Sequence, residues 1–77
     1  MLLLNGIIDG VYYENNKIIA YKGLVYQDGY YYYVNVGGKV VTNRTYFVKT
    51  SNGLTFPDGT LVPNKSFAFD EEGKMVY

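Results

Sequence analysis

Seventy-seven residues make one small domain, near the lower end of what folds alone on a modest core. With no cysteine, neither a disulfide nor a thiolate metal site can staple it, so stability must come from apolar burial or from a partner. Seven basic residues balance seven acidic ones, which leaves no strong field for steering toward nucleic acid or an anionic membrane, and no stretch is long and apolar enough to span a bilayer.

The opening Met1–Leu4 run is far short of a signal-peptide core and lacks a basic flank, which fits either a small cytoplasmic protein or a piece of a longer secreted one. The first segment follows as "GIIDGVYYENNKII" from Gly6, with turns at Asp9-Gly10 and Asn15-Asn16 around an aromatic run. The second, "GLVYQDGYYYYVNVGGKVV" from Gly23, repeats that plan with turns at Asp28-Gly29 and Asn35–Gly38. A further strand is expected around Thr45–Lys49, within an insert at 43–51. The third segment, "GLTFPDGTLVPNKSFAFDEEGKMV" from Gly53, carries turns at Asp58-Gly59 and Glu72-Gly73 and extra residues including Pro63. Pro57 and Pro63 flank its first turn, so that hairpin is expected at an edge, where a missing amide donor is tolerated.

Turn dipeptides separating short runs rich in Tyr, Val, Ile, Phe and Thr are the signature of consecutive β-hairpins, and no window of a dozen residues carries a helical stripe. The expected fold is all-β: about eight to ten short strands in consecutive antiparallel β-hairpins. They would form a short, irregular hairpin-repeat (solenoid-like) sheet or a small barrel-like meander. The single domain 1–77 divides into repeat-like units at about 5–21, 22–42 and 52–77.

The units, and "YYYVNVGGKVV" (Tyr31–Val41) and "FAFDEEGKMV" (Phe67–Val76) most of all, resemble the cell-wall-binding and choline-binding repeats of Gram-positive surface proteins and the related glucan-binding repeats. The resemblance implies a non-catalytic, extracellular or cell-surface module that attaches a larger bacterial surface or phage-related protein to a cell-wall polymer or glycan. The family's Gly-Trp positions are Gly6-Ile7, Gly23-Leu24 and Gly53-Leu54 here, so the aromatic cage for a quaternary ammonium group lacks its tryptophans. A carbohydrate is the ligand this sequence favours over choline.

Four consecutive tyrosines, Tyr30–Tyr33, make both faces of one strand aromatic. Aligned on the lysine after the second turn, Tyr32 matches Phe67 and Tyr12, while Val34 matches Phe69 and Glu14. That parity stays bulky at its first position, which assigns Tyr12, Tyr32, Val34, Phe67 and Phe69 inward, with Glu14 as the misfit. The other parity fades to Ser66 and Ala68, which assigns Tyr13, Tyr31 and Tyr33 to an exposed or half-covered face. With Asn35 they form the candidate ligand site: tyrosine rings suit the apolar face of a sugar, and the phenol and amide can hydrogen-bond its hydroxyls.

No histidine and no cysteine leave carboxylates as the only catalytic option, and six of the seven acids sit in or beside turns, where such residues favour the turn itself. The "DEE" at Asp70–Glu72 lacks the spacing of a calcium loop and reads as a turn. Arg44, the one arginine, lies beside Tyr46 and Phe47 and reads as a solvated strand residue, or as a polar rim to the aromatic patch. No cofactor, no nucleic-acid partner and no membrane insertion are expected. The competing reading is a structural or oligomerisation module whose aromatic face packs on another copy or on a neighbouring domain.

Overall fold

The computed structural model describes residues 2–77 and is all-β. Eight short strands appear in chain order: β1 (Gly6–Ile8), β2 (Val11–Glu14), β3 (Lys17–Ile18), β4 (Gly23–Gln27), β5 (Tyr30–Val34), β6 (Arg44–Phe47), β7 (Ser66–Phe69) and β8 (Met75–Val76). They pair antiparallel into three small sheets, β1-β2-β3, β4-β5 and β6-β7-β8, none of which closes into a barrel. The body is elongated, 37 × 25 × 19 Å.

Local turn chemistry sets the hairpins. Asp9-Gly10 (φ 52° and 78°), Asn15-Asn16 (50° and 69°) and Asp28-Gly29 (52° and 88°) all take the left-handed pair that a two-residue type I′ turn requires. Such turns fix register: Ile8 faces Val11, Glu14 faces Lys17 and Gln27 faces Tyr30. The four-residue turns at Asn35–Gly38 and Asp70–Gly73 share one geometry. In each, the first residue's N–H donates to the lysine carbonyl beyond the turn (2.9 Å to Lys39, 3.0 Å to Lys74), and the closing glycine's N–H donates back to the first residue's carbonyl (3.0 Å in both). The Asp70 carboxylate also accepts the Glu72 and Lys74 N–H groups, so "DEE" is a turn.

Two junctions between successive hairpins share one geometry as well. Tyr21 N–H donates to the Asn35 carbonyl (3.2 Å), and Asn43 N–H to the Asp70 carbonyl (2.9 Å). Gly38 sits so close to Ile18 and Ile19, and Gly73 to Val40 and Val41, that a Cβ at either site would force a neighbour to shift. Side-chain amides stitch the remaining edges. Gln27 accepts from Ile7 N–H (2.8 Å) and donates to Ile7 O (3.1 Å), while Asn52 donates to the Lys22 and Leu24 carbonyls (2.7 and 2.8 Å).

The third segment departs from the sequence expectation. Strand β7 does not pair with the stretch after Gly53 but with β6, from the stretch read as an insert, in the register Arg44↔Phe69 to Phe47↔Ser66. Residues 53–62 instead fold on themselves around Pro57-Asp58-Gly59, held by Phe56 N–H to Thr60 O (2.7 Å), Val62 N–H to Leu54 O (3.0 Å) and a single Thr55–Leu61 bridge. With Pro57 in the turn and Pro63 just past the bridge, this loop joins none of the three sheets.

The core gathers Leu24, Tyr31, Tyr33, Val41, Val48, Val62, Phe67, Phe69 and Met75, flanked by Tyr46, Leu54 and Phe56. The assignment of faces on β5 is thereby corrected. Tyr31 and Tyr33, expected on the open face, are 2% and 5% exposed, whereas Tyr32 is only half-buried. Phe67, Phe69 and Val34 lie inward as expected. The alignment failed because it assumed that hairpins sharing a turn register present the same face to the core. Tyr33 and Ala68 match in register, yet Tyr33 is buried and Ala68 exposed. Strand β5 is covered on both sides, with Tyr31 and Tyr33 toward Phe56 and Tyr46, and Tyr32 over Gly73. Tyr12, also expected inward, is half-buried in the first sheet with its hydroxyl donating to Glu14 (2.9 Å). The misfit Glu14 is thus a partner at a partly open edge, where Lys22 also reaches it (3.1 Å).

Candidate functional site

The largest aromatic assembly grows from β4 and β5. The type I′ turn at Asp28-Gly29 places Tyr26 opposite Tyr31, and their ring centroids lie 4.9 Å apart. Tyr31 is the hub: Tyr77 meets it edge-on at 5.5 Å and Phe56 at 6.0 Å. Phe56 and Tyr77 in turn pack at 4.9 Å with an interplanar angle of 30°. The Tyr31 hydroxyl donates to the Thr55 carbonyl, which ties the 53–62 loop to the hairpin. Tyr26 (52% exposed) and Tyr77 (63% exposed) form the open part of this cluster over the buried Tyr31.

Two clefts flank it. One, of about 410 Å³, lies among Tyr26, Tyr31, Leu54, Phe56 and Pro57. The other, of about 420 Å³, lies among Phe56, Phe67, Val76, Tyr77 and Lys65. Phe56 is the wall they share. Lys65 Nζ stands 5.2 Å from the Phe67 ring centroid, a cation at the rim of an aromatic cleft. Rings fixed this way offer a sugar's apolar face a surface with little ordering entropy left to lose.

The residues expected from sequence to form the site are not gathered in one place. Tyr31 lines the first cleft, but as a nearly covered floor. Tyr33 is core: its hydroxyl accepts the Lys49 N–H (3.2 Å), and its ring packs on Tyr46 at 5.7 Å. Tyr13 belongs to the first sheet, opposite Gly6 and Ile18. Asn35 lines a third cleft, of about 250 Å³, and donates to the Tyr46 hydroxyl. Sequence reasoning missed Tyr26, Phe56 and Tyr77. Tyr26 was within reach, because a two-residue turn at Asp28-Gly29 dictates the Tyr26–Tyr31 pair. Phe56 and Tyr77 meet Tyr31 across loops whose paths no local signal specifies.

Burial raises the pKa of Tyr31, Tyr32 and Tyr12 above the ordinary phenol value; Tyr77, Tyr26 and Asp58 add to it at Tyr31, and the Glu14 hydrogen bond adds to it at Tyr12. A raised pKa in the folded state means these groups stabilise the fold fully below the unfolded value of about 10, and that contribution is lost as pH rises through the folded values. The urea midpoint should therefore fall as pH rises through about 10 and beyond, and Tyr31→Phe should flatten that fall. An unchanged midpoint over this range would show that the three phenols are freely solvated.

Among the described residues, no three acidic side chains come together as a metal site, and no helix is long and apolar enough to cross a membrane. No family model, no curated protein and no solved structure matches the chain.

Proposed function

We propose that this chain is a non-catalytic carbohydrate-binding module that attaches a larger bacterial surface or phage-related protein to cell-wall glycan outside the cell. The observation that supports this best is the Tyr26–Phe56–Tyr77 surface: aromatic rings held over Tyr31, with a cleft on either side. The reading keeps the tyrosine-based sugar contact expected from sequence and moves its centre from Tyr33 and Tyr13 to Tyr26 and Tyr77, with Tyr31 as support. A chain without histidine or cysteine suits holding a ligand better than transforming it. The finer fold reading, a short hairpin-repeat stack, is supported by the two alike junctions at Gly38 and Gly73.

Tyr26→Ala and Tyr77→Ala should each weaken retention on Gram-positive cell walls and soluble glucans while lowering the melting temperature little, since both side chains are largely exposed. Stacking one sugar on one aromatic ring is comparable to a modest aromatic contact, so a loss of about fivefold to tenfold in affinity is expected for each. Retention of the two variants equal to that of the parent would refute the site.

A second reading is favoured by one observation. Val76 and Tyr77 are exposed at positions that match Val41 and Thr42, beside which the Gly73 turn docks. That face would receive another copy or a neighbouring domain. Light scattering on a size-exclusion column separates the readings, because a strict monomer at high concentration removes self-association.

A further inference from the structure

The third cleft, at Asn35, lies apart from the Tyr26–Tyr77 surface and meets the core only at Val41 and Tyr46, and its chemistry differs from both. It opens between the Asn35–Gly38 turn and the start of β6, and Lys39 and Arg44 line it together with Val36, Val40 and Val41. No acidic residue lines it. The ion pairs among the described residues are Lys22–Glu14 and Lys74–Glu72, so neither Lys39 nor Arg44 is held in an ion pair. Asp70, whose carbonyl takes the Asn43 N–H beside Arg44, has its carboxylate turned to the Glu72 and Lys74 amides instead. A chain with balanced charge thus gathers two free cations on one concave surface of about 250 Å³.

We propose that this cleft binds an anionic group carried on a sugar or polyol. An Arg44 guanidinium presents the fork that a carboxylate or phosphate oxygen pair matches, and Lys39 adds a second, more mobile charge. The Tyr46 hydroxyl accepts from the Asn35 amide, which leaves its own proton free to donate, and the Asn35 side-chain oxygen can accept. Donors and an acceptor beside valine side chains suit a hydroxyl-bearing ring or chain better than a bare inorganic ion. The sugar body rests on the glycan reading above, whereas the charge preference stands on the cleft alone.

The test is a titration of the whole chain followed by amide chemical shifts at constant ionic strength, with galacturonate, glycerol 1-phosphate, methyl glucoside and sodium sulfate as separate probes. Saturable shifts at Asn35, Val36, Arg44 and Tyr46 with galacturonate or glycerol phosphate, at least about tenfold tighter than with methyl glucoside or sulfate, are expected. Whichever of the first two binds tighter identifies an acidic sugar or a phosphodiester polymer as the source of the anion. An Arg44→Gln/Lys39→Gln double variant should abolish those shifts with its melting temperature unchanged, and Lys49→Gln should not. Equal affinity for methyl glucoside, or equal affinity for sulfate, overturns the proposal, as does binding that survives in the double variant. Anion binding here with no wall or glucan binding at Tyr26 and Tyr77 would sink the aromatic site and leave this one standing.

Discussion

Tyr31→Ala should be the most damaging single aromatic truncation in the chain, at about 3–5 kcal/mol, the range for emptying a buried aromatic site. Tyr31 is 2% exposed and touches the rings of Tyr26, Phe56 and Tyr77, so the cavity would open at the centre of the cluster. It would also release the Thr55 carbonyl, and with it the hold on the 53–62 loop. A single core in a chain of about this size rarely supplies more than about 3–5 kcal/mol, so much of the variant should be unfolded near body temperature. Tyr31→Phe isolates the hydrogen bond and should destabilise by about 0.5–1.5 kcal/mol, because the bond is only part-buried and Thr55 is exposed, so water can replace the lost donor. Tyr32→Ala removes a half-buried ring and should be milder than Tyr31→Ala. Urea melts of the three variants check the order, and a Tyr32→Ala loss exceeding that of Tyr31→Ala would restore the opposite face.

That expected order reverses the one the sequence suggests, and the reason lies in particular residues. The all-β class, the turn positions and even the shared register of the Asn35 and Asp70 turns were legible, because each depends on residues within a few positions of one another. Which side of β5 faces the core was not. Tyr30–Tyr33 carry no polar residue to mark an outside, so alternation is silent there. The tie is broken by β6, the 53–62 loop and the Asp70 turn, all distant in sequence. The pairing of β7 with β6 rather than with the Gly53 stretch has the same origin. Loop closure alone would favour the nearer Gly53 stretch, but Pro57 and Pro63 deprive that stretch of amide donors a ladder needs, which leaves β6 as the partner. The candidate site suffered most, because Phe56 and Tyr77 reach Tyr31 only once those pairings are set.

The glycines at the two junctions give the other large effect. Gly37, Gly38 and Gly73 all have left-handed φ, at 68°, 78° and 87°, where a side chain costs roughly 1–2 kcal/mol. For Gly37→Ala this is the whole effect, since nothing lies within 4 Å of the added Cβ. At Gly38 the Cβ would stand 2.5 Å from Ile18 Cγ2 and 3.3 Å from the Ile19 carbonyl oxygen. Ile18 is exposed and can swing aside, so only the carbonyl resists. At Gly73 the Cβ would meet Val40 Cγ2 at 3.0 Å, the Val41 carbonyl oxygen at 3.3 Å and the Tyr32 ring at 3.4 Å, with Val40 and Tyr32 both half-buried and less free to move. Overpacking there adds about 1–3 kcal/mol, which puts Gly73→Ala at about 2–5 kcal/mol, with Gly38→Ala between it and Gly37→Ala. If the junction is the cause, Val40→Ala should suppress part of the Gly73→Ala defect, so the double variant should be more stable than the two single losses predict by addition. Equal destabilisation by all three glycine variants, with no coupling to Val40, would mean that the turns contribute only their backbone conformation and that the hairpins do not depend on close contact at these junctions.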